Sequence, residues 1–86
     1  MKNFIKEYIN KITKNDLFNL LKKKDIYLSD NELDYLYNCL KKNWYDFLYN
    51  DPTLIFNNIK NNINNDNYNK LYNLYIWAKE KYSFYL

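Results

Sequence analysis

An all-α fold is what this sequence predicts: a compact orthogonal bundle of about five short helices, forming one domain over residues 1–86. Three observations carry that expectation. Apolar residues recur at helical spacing almost throughout. Helix-start signals break the chain at Thr13, Ser29 and Asp51-Pro52. No strand-like alternation persists beyond four residues, and short turns between five helices favour packing around one core.

The first helix covers 2–12. At 100° per residue, Phe4, Ile5, Tyr8, Ile9 and Ile12 fall within an arc of about 140°, the apolar face of an amphipathic helix. Thr13 reads as an N-cap with Asp16 three residues on, a capping box that opens a second helix over 14–24. That helix buries Leu17, Phe18, Leu20 and Leu21 and ends in Lys22-Lys23-Lys24, where cations suit the negative end of the helix dipole. After the short apolar link Asp25-Ile26-Tyr27-Leu28, the run Ser29-Asp30-Asn31-Glu32 is a full S-x-x-E capping box. The third helix, 30–42, buries Leu33, Leu36, Tyr37 and Leu40 and closes on Lys41-Lys42. Residues 43–50, NWYDFLYN, read as a loop or single turn in which Trp44, Phe47 and Leu48 plug the core. Asp51 as N-cap and Pro52 at the first helical position open the fourth helix, 52–63, which buries Ile55, Phe56, Ile59 and Ile63. Asn64-Asn65-Asp66 breaks it, and Asn65 or Asp66 caps the fifth helix, 67–83.

Composition excludes several chemistries. Of 86 residues, 17 are Asn, 13 Lys and 11 Tyr, while Gly, His, Arg, Val and Gln are absent. Without His and with a single Cys, neither histidine-based catalysis nor a His/Cys zinc site is available. Without Gly there is no phosphate-binding loop or dinucleotide fingerprint. The abundant Asn, Lys, Tyr, Ile and Phe share A/T-rich codons, so an AT-biased genome explains their abundance and only their positions carry information. The net charge of +3 is too mild for a dedicated nucleic-acid binder. The longest uncharged apolar stretch, Leu71 to Ala78, is too short to span a bilayer. The charged start MKNFIKEYINKI is no signal peptide, and with a lone thiol the expected address is the cytoplasm.

The last helix carries more apolar surface than one face needs. Leu71, Tyr72, Tyr75, Ala78 and Tyr82 cluster with Tyr68 on the expected core side, yet Leu74, Trp77, Phe84 and Ile76 lie outside that arc. Either Trp77 and Phe84 are covered by residues 43–50 or by tyrosines, or Leu74, Trp77 and Phe84 contact a partner or a second copy.

Other constellations have plain explanations. Asp30, Glu32 and Asp34 suit the first turn of a helix, and Cys39 lies off the core centre with no basic neighbour expected to activate it. Lys22, Lys23, Lys24, Lys41 and Lys42 are the only basic concentration and the candidates for weak, non-sequence-specific nucleic-acid binding. The acidic start of the third helix opposes a helix-turn-helix reading. The first helix, with Lys2, Lys6 and Lys11 opposite its apolar face, has the pattern of a membrane-surface helix, but the same face is what a five-helix core requires.

The run Ile12-Thr13-Lys14-Asn15-Asp16-Leu17-Phe18, then Ile26-Tyr27-Leu28-Ser29-Asp30-Asn31-Glu32 and the third helix with Lys41-Lys42, resembles the YqfT-like domain-of-unknown-function family of low-GC bacteria over roughly residues 3–82. The resemblance implies an all-helical cytoplasmic bacterial protein and carries no activity or functional residue across. The link after the second helix lacks the glycine expected there, which leaves Asp25 or Lys24 to make the turn.

The expected function is therefore binding without catalysis, with no catalytic residue, cofactor, metal or small-molecule ligand implied. A protein-interaction or homo-oligomeric module acting through Leu74, Trp77 and Phe84 stands first. A weak nucleic-acid binder using the lysine clusters is the alternative.

Overall fold

In the computed structural model, which describes residues 2–82, the two capping boxes stand where the sequence puts them. The fold is all-α, with five helices and no strand among the described residues: α1 Lys2–Lys11, α2 Lys14–Lys23, α3 Asp30–Tyr49, α4 Thr53–Asn62 and α5 Asn65–Tyr82. The Thr13 hydroxyl accepts from the Asp16 N–H and the Asp16 carboxylate accepts from the Thr13 N–H, both at 3.0 Å. Ser29 and Glu32 reciprocate in the same way at the start of α3, at 3.2 and 2.9 Å.

The α2–α3 link turns without glycine because Asp25 takes the left-handed conformation, φ 60°. The Asp25 N–H donates to the Lys22 carbonyl and the Ile26 N–H to the Leu21 carbonyl. This is the Schellman pairing, accompanied as usual by an apolar contact: Leu21 and Ile26 are both buried core residues.

Residues 43–50 are not the expected loop. α3 continues to Tyr49 across a kink at Asn43, where φ −120° and ψ 15° depart from helix. The Asn43 side chain donates back to the Cys39 carbonyl at 3.2 Å, satisfying an acceptor near the break. The spacing Leu40, Trp44, Phe47, Leu48 keeps the helical period, so the apolar face resumes beyond the kink. Of the three expected plugs, Phe47 is buried, whereas Trp44 and Leu48 are only half-buried.

Two helix starts move by a residue or so. Pro52 is the N-cap of α4, and the Asp51 carboxylate accepts from the Thr53 N–H at 3.0 Å and from its hydroxyl. These bonds hold the Asp51 carboxyl below its ordinary range. α5 begins at Asn65 and its cap is Asn64, not Asn65 or Asp66: the Asn64 amide oxygen accepts from the Asn67 N–H at 2.8 Å.

α3 packs on α1, α2 and α4, and α4 packs on α5. Ile26 and Ile59 are the most deeply enclosed side chains. Phe56 sits among aromatic rings, with Tyr75 at 4.9 Å, Tyr72 at 5.2 Å and Phe47 at 5.5 Å between centroids, all in edge-on geometry.

The faces of α1 and α2 are buried less than their patterns predict. Ile9 and Ile12 enter the core, but Phe4 is 73% exposed, and Tyr8 and Leu20 are exposed as well. Ile5 has no described side chain. The reason is geometric: α1 meets α3 near the α1–α2 turn, where the Tyr37 hydroxyl donates to the Ile12 carbonyl and the Lys41 ammonium to the Asn10 carbonyl, both at 2.9 Å.

Candidate interaction surface

The C-terminal half of α5 brings together residues from two separate sequence signals. Leu71, Tyr75 and Ala78 turn inward, while Ile76 and Trp77 remain on the outside, Trp77 with 41% of its surface exposed. The Lys24 ammonium stands 4.0 Å from the Trp77 ring centroid and the Lys81 ammonium 4.8 Å from it. Lys81 is one helical turn from Trp77. Lys24 is placed by the Asp25 turn, and the Lys70 ammonium donates to the Asp25 carbonyl at 3.2 Å, drawing the end of α2 against α5. Between them lies a cleft of about 350 Å³ lined by Lys24, Ile26, Lys70, Asn73, Leu74 and Trp77.

The expected contact residues divide. Trp77 is on the surface. Leu74 is half-buried and packs against the core, leaving only an edge in the cleft. Phe84 lies outside the described residues. The basic candidates divide too. Lys22, Lys23 and Lys24 are exposed at the end of α2, and Lys24 joins Trp77. Lys41 is committed to the Asn10 carbonyl and lies over the Tyr37 ring, and Lys42 borders a separate cleft with Tyr35, Cys39 and Leu54. The two lysine clusters are thus taken up by different elements. Lys70 and Lys81 were missed as members of the surface, although their spacing from Trp77, seven before and four after, puts all three on one stripe of α5.

The acidic candidates have structural work. Glu32 completes the α3 capping box and accepts from the Asn64 N–H at 2.7 Å and the Asn67 side-chain amide at 3.3 Å. Burial pushes its carboxyl up, but the bonds from Ser29, Asn64 and Asn67 outweigh this and hold it below the ordinary value. Asn67, buried and polar, also donates to the Tyr27 carbonyl at 3.0 Å. Asp34 pairs with Lys14. Among the described residues no three metal-ligating side chains come together. Burial pushes the Cys39 thiol up, and the Asn43 hydrogen bond and the nearby Lys42 charge pull it only partly back. Lys42 is thus a basic neighbour that the sequence reading did not anticipate, but it is too weak to yield a thiolate at neutral pH.

No protein-family model, curated protein or solved structure matches this chain. The YqfT-like resemblance accordingly rests on the sequence pattern quoted for it. Among the described residues no helix is long and apolar enough to cross a membrane.

Proposed function

We propose that this domain is a non-catalytic binding module that takes an acidic, partly apolar segment of a protein partner on the Trp77 face of α5. The observation that supports this reading is the exposed indole set between the Lys24 and Lys81 ammoniums beside the Lys70 cleft. An indole supplies contact area at little entropic cost, and a lysine rim selects carboxylates and repels basic partners. Self-association through the same patch is disfavoured, because a two-fold interface would set like charges against each other. Nucleic-acid binding is the weaker reading: stacking a base on Trp77 requires displacing Lys24 from the ring, and Lys41 is already engaged at α1. The protonated thiol of Cys39 and the structural use of Glu32 favour binding over catalysis.

The test uses Trp77 emission in a Trp44→Phe background, titrated with poly(Glu,Tyr) and with oligo(dT). A salt-sensitive response to poly(Glu,Tyr), lost in Lys24→Glu with Lys81→Glu, supports the proposal. Tighter binding of oligo(dT) transfers the surface to the alternative, and no response to either removes both. Sedimentation across a range of concentrations checks self-association: a monomer is expected.

A further inference from the structure

The core is open to solvent on one side. A pocket of about 240 Å³, partly open to solvent, lies between Trp44 and Leu48, beyond the α3 kink at Asn43, on one side and Ile9, Phe56, Leu74 and Ala78 on the others. All five helices contribute to its wall, and the wall is almost entirely apolar. The Tyr75 hydroxyl, a polar group at this site, is already committed: it donates to the Phe47 carbonyl at 2.6 Å and accepts from the Lys79 ammonium at 3.0 Å.

We infer that this cavity is a binding site for a small uncharged hydrocarbon group, either a short alkyl chain or a fused aromatic ring. Small-molecule sites in proteins are concave, mostly apolar and largely pre-formed. Water in this one finds few polar partners on the wall, so an apolar group that displaces it gains contact area at little polar cost. An apolar cavity of about 150 Å³ takes up benzene, so by proportion a pocket of this size takes about eight to ten carbon atoms.

Two features of the chain maintain the space. Ala78 is the only alanine in the sequence, and it stands on the stripe of α5 that elsewhere carries Leu71, Leu74 and Tyr75. Trp44 and Leu48, on the turns of α3 that follow the kink, border the pocket and remain half-buried. The inference is independent of the Trp77 surface, because it concerns the inner side of α5.

The experiment follows methyl resonances of the full chain during titration with naphthalene, 1-octanol and octanoate. Saturable shifts at Ile9, Leu48 and Leu74 with naphthalene or 1-octanol are expected, together with a rise in melting temperature. Octanoate distinguishes the sources: binding at least tenfold weaker than 1-octanol assigns the site to uncharged groups, whereas equal or tighter binding overturns that assignment. Ala78→Leu narrows the space and is expected to weaken naphthalene binding at least tenfold; Leu48→Phe provides the same test if Ala78→Leu does not fold. No saturable shift with either uncharged probe, or unchanged binding in a folded filling variant, overturns the inference.

Discussion

The two ends of the bundle are held in different ways. At one end the α2–α3 link, the start of α3 and the α4–α5 turn are joined by directional bonds: Asp25 makes a left-handed turn, and Glu32 and Asn67 link three chain segments. Ile26, in that link, is one of the two most enclosed side chains. At the other end α3 bends, Trp44 and Leu48 stay half-buried, and a cavity remains. The difference shows what this composition does well. A chain rich in Asn and without Gly ties its turns with side-chain amides and carboxylates, each of which fits one geometry. Its large aromatic and aliphatic residues have no comparable means of filling an irregular space.

That comparison can be tested, beginning with the residue that both ends share. Phe56 packs among Phe47, Tyr72 and Tyr75 and also borders the cavity. Phe56→Ala is expected to cost about 3–5 kcal/mol, enough to unfold a domain of this size or nearly so, as read by chemical denaturation. Asn67→Ala attacks the bonded end alone. It leaves the Tyr27 carbonyl without its amide donor and removes one bond to Glu32, at a cost of about 1–3 kcal/mol. A smaller loss would mean that apolar packing, not the polar network, holds that end.

Glu32 tests the same end through pH. Its carboxyl lies below the ordinary value of 4.5 when folded, so the unfolded chain takes up a proton first as the solution is acidified. The stabilisation is present above about pH 4.5 and is lost as pH falls through the folded value. Glu32→Gln is expected to cost about 1–2 kcal/mol at neutral pH and to flatten this part of the acid dependence in denaturation curves. The smallest effect is a gain. Asp25→Gly relieves the left-handed strain while keeping the backbone carbonyl that Lys70 uses, and is expected to stabilise the fold by about 0.5–1 kcal/mol in thermal melts. No gain would show that the aspartate side chain itself contributes to the turn.

Much of the architecture was legible because its signals are local. The Thr13–Asp16 and Ser29–Glu32 boxes each depend on residues three apart, and the helix faces depend on a period of a few residues. The errors have equally physical causes. Lys41-Lys42-Asn43 carries the signs of a helix end, and the chain does depart from helical geometry at Asn43, but Phe47 gains enough by burial for the helix to resume. Asn67 could not be picked out from the surrounding asparagines, since its burial depends on Tyr27 and Glu32, far away in the chain. Phe4, Tyr8 and Leu20 belong to apolar faces, yet the pattern cannot say whether a neighbour is long enough to cover them.

The candidate surface was half visible. Trp77 stood out as misplaced on its helix and Lys24 as part of a basic run, but nothing along the chain joins them. The sequence by itself determined five helices, most of their boundaries and the apolar residues they carry, because those follow from backbone hydrogen bonding and residue spacing. Only the tertiary structure decided that Lys24 meets Trp77, that Lys41 closes α1, and that an apolar pocket lies beside Ala78. Those outcomes depend on the angles and lengths at which whole helices meet, and these are set by all the packed side chains acting together.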